Sequence, residues 1–179
     1  HVSKLIVLDR DGVINEDRDD YIKTPDEWVA VPGALEAIAR LTKAGYEIAV
    51  ATNQSGVGRG LYTLDTMHAI HNKMLDQVTA AGGRIAAIFF CPHAPEAHCD
   101  CRKPKPGMFL EIARRFGRNS LDGVPLVGDT RRDLEAGIAV GCVPWLVLTG
   151  KGQETFRKGE LPEGTRVRPS LLAVAKELV

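Results

Sequence analysis

A three-layer α/β sandwich around a mostly parallel sheet is the fold this sequence predicts, and three observations point to it. Short apolar runs alternate with amphipathic stretches along most of the 179 residues, the pattern of βαβ units whose sheet is covered on both faces. The polar motifs follow directly after apolar runs, where open α/β sheets bind their ligands. The length also suits one unit, because a chain of this size buries roughly 70% of the surface its unfolded form would expose. Residues 1–179 therefore read as a single domain.

Lys4 to Leu8 (KLIVL) is an apolar run stopped by Asp-Arg-Asp-Gly, as a buried strand would be. Pro32-Gly33 opens a helix on which Leu35, Ile38, Ala39 and Leu41 recur at three and four, and Gly45 closes it. Tyr46 to Ala51 (YEIAVA) reads as the second strand, Leu64 to Ala81 as the second helix, and Arg84 to Phe90 as the third strand. A helix over Gly107 to Phe116, a strand over Val124 to Val127, a helix over Arg132 to Val140 and a strand over Val143 to Leu148 continue the alternation. A helix over Pro169 to Leu178 closes it. Asn15 to Val31 is too long for an ordinary strand–helix loop and is expected to be functional.

Composition excludes several classes. A hydrophobic fraction of 44% and a charged fraction of 26% are those of an ordinary globular protein. Lys plus Arg equals Asp plus Glu at 23 each, so no global charge favours nucleic acid or an anionic membrane. No apolar run approaches the ~20 residues of a membrane span, and no signal-peptide pattern opens the chain. Three of the four cysteines fall between positions 91 and 101, which favours metal binding in a reducing compartment over disulfides. A cytoplasmic location is expected.

Four motifs carry chemistry, each with a blander rival. Asp9-Arg10-Asp11-Gly12 puts two carboxylates at one mouth of the sheet, where a divalent metal would relieve their repulsion; the rival is a surface turn. Thr52-Asn53-Gln54-Ser55 offers hydroxyls and N–H groups to phosphate oxygens, or is a capped polar loop. Arg102 to Gly107 is a basic turn whose Lys103 could neutralise a transferring phosphoryl group, or a solvated loop. Gly128-Asp129-Thr130-Arg131-Arg132-Asp133 offers Asp129 to an oxygen-rich Mg²⁺ site with Asp9, whereas Asp133 reads equally as a first-turn helix charge.

DRDGV, TNQS, the RKPKPG lysine and GDTRRD, in this order, resemble the four motifs of the haloacid dehalogenase superfamily of phosphohydrolases over about Lys4 to Leu148. The resemblance implies a Rossmann-like fold of that superfamily and a role for each residue. Asp9 would be nucleophile and Mg²⁺ ligand, forming an aspartyl phosphate that water hydrolyses. Asp11 would be the general acid and base, meeting the metal through its backbone carbonyl. Thr52 and Lys103 would hold the phosphoryl group, and Asp129 would complete the Mg²⁺ site.

Cys91-Pro92-His93, then Cys99-Asp100-Cys101, supplies a Cys₃His set with no open position, hence structural zinc rather than catalytic. His98 is a nearby spare. Cys142 reads as a small buried hydrophobe, and His68 and His71 as surface residues. DRDGVIN, TNQSGVGRG and CPH…CDCRKPKPGM together resemble the heptose bisphosphate phosphatases, which remove the 7-phosphate of D-glycero-D-manno-heptose 1,7-bisphosphate on the route to nucleotide-activated heptose for surface glycans. The histidinol-phosphate phosphatases share the zinc loop and are the runner-up. This resemblance implies substrate contacts from Arg102, from Asp17, Arg18, Asp19 and Asp20, and from Asn53, Gln54 and Ser55. Arg59 could meet a second phosphate. Relatives often carry Lys where this chain has Thr130.

No segment is long enough for a separate cap, so specificity falls to the substrate loop 15–31 and the zinc loop 91–101. The expected partner is a small sugar bisphosphate, with no nucleic acid or membrane, and the expected state is a monomer. A sugar-phosphate or protein-binding module on the same scaffold is the competing class, against which the intact Asp9 and Asp11 speak. A nucleic-acid end phosphatase is disfavoured by the zero net charge and the lack of an aromatic platform.

Overall fold

The computed structural model describes residues 4–179, so residues 1–3 of the unit expected over 1–179 lie outside the described residues. The sheet has six strands in the order β3-β2-β1-β4-β5-β6, every pair parallel. These are β1 Lys4–Leu8, β2 Tyr46–Asn53, β3 Ala87–Cys91, β4 Pro125–Gly128, β5 Val143–Val147 and β6 Arg166–Arg168. The helices are α1 Ala34–Lys43, α2 Ser55–Gly58, α3 Leu64–Ala80, α4 Gly107–Arg115, α5 Arg131–Ile138, α6 Gly152–Lys158 and α7 Leu171–Leu178. The chain winds outward from β1 to β3, then restarts at β4, so the order reverses between β1 and β4. In doubly wound sheets that reversal opens a crevice beyond the strands' carboxyl ends.

Two-residue alternation along the central strands builds the layers. Ile6 and Leu8 of β1, with Ile48 and Val50 of β2, face one core shared with Ile38 and Leu41 of α1, Ile70 and Met74 of α3, and Val174 of α7. Leu5, Val7, Ala49 and Ala51 face the other, against Phe109 and Ile112 of α4 and Leu134 of α5. Each fully buried Ile, Leu or Val is worth roughly 1.5–3 kcal/mol, so the sheet is the rigid platform from which the polar loops are hung.

Several expectations shift. Arg84 is not in β3; its N–H turns back to Thr42 Oγ1 at 3.1 Å. α7 starts at Leu171 because the Ser170 hydroxyl accepts from Ala173 N–H and caps it there. α2, α6 and β6 are additions to the predicted elements. The 15–31 stretch is laced at its base by Glu16 N–H to Val29 O (2.8 Å) and Val31 N–H to Ile14 O (2.9 Å), and is anchored by the fully buried Trp28. Among the described residues no helix is long and apolar enough to cross a membrane.

Candidate active site

Asp9, Thr52 and Asp129 stand at the carboxyl ends of β1, β2 and β4, three neighbouring strands, so residues up to 120 positions apart converge. Lys103 enters from the β3–α4 loop and is 2% exposed. Its Nζ donates to Asp9 Oδ1 at 3.0 Å and to Asp133 Oδ1 at 2.9 Å. The TNQS motif sets that lysine: Asn53 Oδ1 accepts from Lys103 N–H at 3.1 Å.

Asp133, left open above as a simple helix charge, is buried inside this cluster. Its Oδ2 accepts from the N–H groups of Asp129 and Thr130, and Thr130 Oγ1 accepts from Asp133 N–H. That capping box opens α5 and holds Asp129 in place. Asp129 is fixed from the far side as well. Lys151 N–H donates to its Oδ2 at 2.9 Å, and the Thr155 hydroxyl to its carbonyl at 2.8 Å. Gly12, at φ +84°, lies where a Cβ would strike the Asp129 carboxylate, so only glycine fits there.

Carboxylates of Asp9, Asp129 and Asp133 lie within 4.8 Å of one another. Burial and then Asp133 push the Asp9 carboxyl up to about 7, with Lys103 pulling the other way. Burial and Asp133 likewise raise Asp129 well above the usual range. Lys103 balances one of the three charges, which leaves an oxygen-rich pocket short of positive charge. Those hard oxygen donors fit Mg²⁺. Asp133 has both oxygens engaged, so Asp9 and Asp129 are the free donors.

Asp11 hangs over the cleft, its side chain 29% exposed. Oδ1 accepts from Arg10 Nε (2.9 Å), Arg10 Nη2 (2.7 Å) and Asn15 Nδ2 (3.0 Å); Oδ2 meets Gln54 Nε2 at 3.3 Å. Burial works to raise this carboxyl, but Arg10, Asn15 and Gln54 outweigh it and hold it below its ordinary value.

The cleft encloses about 180 Å³, and its walls include Asp17, Arg18 and Asp19, Asn53, Gln54 and Ser55, and Arg102. Asp20 and Arg59 do not line it. Asp20 is turned out to Arg18 and Lys23, and Arg59 caps α2. Thr52 is buried beneath it, with Oγ1 accepting from Gln54 Nε2 at 2.9 Å. Arg132 and Lys151 join the walls without having been singled out from the sequence. Burial, then Arg132 and Arg59, lower the Arg102 guanidinium from its ordinary value. Lys151 ties α6 to the 15–31 loop through Asp17 at 3.4 Å.

Beyond the cleft, Cys91, His93, Cys99 and Cys101 bring their donor atoms within 4.8 Å of one another. Cys91 and Cys101 Sγ are in disulfide contact. Cys99 Sγ lies 3.5 Å from Cys91 and 3.6 Å from Cys101, and His93 Nδ1 lies 3.6 and 3.3 Å from the same two sulfurs. A disulfide accounts for one contact and leaves the other two donors without cause. Thiolates at ~2.3 Å from one zinc stand roughly 3.7 Å apart along the edges of a tetrahedron, which matches the remaining spacings. The donor set therefore fits zinc.

Known proteins bear the same stamp. The family described as polynucleotide kinase 3 phosphatase matches residues 4–133, and the HAD-hydrolase-like family matches residues 100–174. A Bordetella bronchiseptica protein named D-glycero-beta-D-manno-heptose-1,7-bisphosphate 7-phosphatase is 56% identical across 98% of each chain. One of the same name from Pseudomonas putida is 53% identical over 98% of this chain and 99% of its own. A solved D,D-heptose 1,7-bisphosphate phosphatase from B. bronchiseptica, complexed with magnesium and phosphate, superposes with a TM-score of 0.96 at 56% identity, covering 98% of this chain and 97% of that one. On this footing the chain belongs to the haloacid dehalogenase-like phosphatases, within the family of the heptose-1,7-bisphosphate 7-phosphatases.

Proposed function

We propose that this phosphatase removes the 7-phosphate of D-glycero-β-D-manno-heptose 1,7-bisphosphate, with Asp9 as nucleophile. The observation that carries the reading is the Asp9–Lys103 contact of 3.0 Å at the floor of a cleft walled by Arg18, Arg102, Arg132 and Lys151. One phosphate fits the floor, and the basic wall suits a second.

Asp9 attacks phosphorus, and the sugar oxygen leaves with a proton from Asp11. Water then attacks the aspartyl phosphate and returns a proton to Asp11, so the cycle closes on free phosphate. Lys103 stays within reach of the oxygens on which charge gathers. Asp9, the Asp11 carbonyl and Asp129 would hold Mg²⁺, which supplies charge neutralisation at those oxygens. Asp133 keeps Lys103 and Asp129 aimed. Thr52 sits beneath the floor and orients Gln54.

The substrate loop 15–31 and the zinc loop 91–101 complete one phosphatase unit, with Cys91, His93, Cys99 and Cys101 holding structural zinc. Reduced thiols fit a cytoplasmic setting, and monomeric behaviour is the expectation for size-exclusion chromatography. The family that matches residues 4–133 includes nucleic-acid end phosphatases by its description, but zero net charge argues against such a substrate here. Phosphate release from the heptose 1,7-bisphosphate, the 7-monophosphate and histidinol phosphate tests the assignment. We expect the bisphosphate to lead in kcat/KM by roughly 10–100-fold, the worth of one charged hydrogen-bonded subsite. Equal rates on histidinol phosphate would overturn it.

A further inference from the structure

The sequence offered His71 as a surface residue, yet it is 4% exposed on the face of α3 that carries Met67, Ile70 and Met74. Its Nε2 lies 3.1 Å from Arg10 Nη1. Arginine can only donate, so Nε2 accepts and the ring proton belongs on Nδ1. Arg10 is itself 0% exposed. A guanidinium taken out of water is costly unless each edge finds a partner. Arg10 turns one edge, Nε and Nη2, to Asp11 Oδ1 and gives Nη1 to His71. Asn15 brings a third donor to the same oxygen. Asp11 Oδ1 is thereby saturated, while Oδ2 keeps one long contact, to Gln54 in the cleft wall.

We propose that His71 is a positioning residue which, through Arg10, clamps Asp11 Oδ1 and leaves Oδ2 as the oxygen that carries the transferred proton. The inference rests on the reading of Asp11 as acid and base. When the bond between phosphorus and the sugar oxygen breaks, the proton on Oδ2 passes to that leaving oxygen as Asp9 takes the phosphoryl group; the water that attacks the aspartyl phosphate later restores it. A merely core-filling histidine needs no acceptor atom aimed at a buried cation. His71 has one.

The test compares H71N, whose amide is too short to reach Arg10, with H71Q, whose amide oxygen reaches. Both are assayed as the Mg²⁺- and zinc-loaded enzyme on a sugar phosphate and on p-nitrophenyl phosphate, whose leaving group needs no proton. A general acid is worth ~10²–10⁴-fold, and a misaimed one should forfeit part of that. We expect H71N to lose about tenfold in kcat on the sugar phosphate, less than threefold on the aryl phosphate, with KM within twofold. H71Q should stay near wild type. Equal losses on both substrates, no loss at all, or an H71Q as impaired as H71N would overturn the proposal. H71M, which fills the space without accepting a bond, repeats the comparison should H71N melt below the assay temperature. D11N separates the two layers of inference. If D11N spares both substrates equally, the acid role of Asp11 fails; if D11N is selective and H71N is not, only the clamp fails.

Discussion

Two clusters in this molecule can hold metal, and they are built in opposite ways. The carboxylates of Asp9, Asp129 and Asp133 sit at strand ends and a helix start, and are 2–8% exposed. Backbone N–H groups and Lys103 hold them from several sides. Of the sulfur and imidazole donors, Cys91 ends β3 and packs in the core. His93, Cys99 and Cys101 sit on the loop between β3 and α4 and, among the described side chains, make their polar contacts with one another and with Cys91. The first geometry is imposed by the sheet and precedes the metal. The second hangs largely on a loop, whose ordering costs ~1–2 kcal/mol per residue, a cost that a bound zinc would help to offset.

The sharpest break between them comes from Asp9, the proposed nucleophile. D9N should lower Mg²⁺-dependent phosphate release by on the order of 10⁴-fold or more, as removal of a nucleophile does. The metal-free protein should melt no lower, because the cluster is over-supplied with negative charge. Near-normal turnover would end the assignment of Asp9.

C99S tests the other side. It should reduce zinc to well below one ion per chain by elemental analysis and leave the far-UV circular dichroism of the sheet intact. Activity should fall by roughly 100-fold, the effect of ~1 Å misplacement of groups such as Lys103, two residues past Cys101. Global unfolding of C99S would show that the loop supports the sheet, and the contrast drawn above would collapse.

The smallest effect is thermodynamic and separates the sheet end from the loop by acid. Burial, followed by Arg10, lowers the His71 imidazole to about 3, so the folded state keeps it neutral where the unfolded chain, near 6.5, takes up a proton. Between those values the unfolded state binds more protons, and stability must fall as pH falls. Denaturant titrations from pH 7 to 4 should show wild type losing up to roughly 1.4 kcal/mol per pH unit more than H71Q. Parallel curves would mean that His71 is not held neutral.

How much could be read in advance followed the range of the interactions. The strands and amphipathic helices announce themselves through local periodicity, and the four motifs sit where the alternation says they should. α6 (GQETFRK) lacks an apolar stripe, and β6 is three residues long, Arg-Val-Arg, so neither leaves a periodic signal. The role of Asp133 depends on Lys103, 30 positions away, and no local pattern encodes that contact. Its capping box was the available clue: Thr130 followed three residues later by an acid. His71 also left a trace, since it falls on the same helical stripe as Met67, Ile70, Met74 and Val78.

The bracing of Asp129 by Lys151 and Thr155 has a consequence for biogenesis. Asp9, the proposed nucleophile, precedes the segment that braces Asp129 by about 140 positions. At ~5–20 residues per second, the ribosome needs roughly 7–30 seconds to cover that distance. For most of that interval, until Pro125–Gly128 is made, β1 and β2 can pair while β4 and the Asp129 carboxylate are still missing. The nascent chain thus carries Asp9 unarmed, and the carboxylate cluster closes only when β4 and the start of α6 fold against β1.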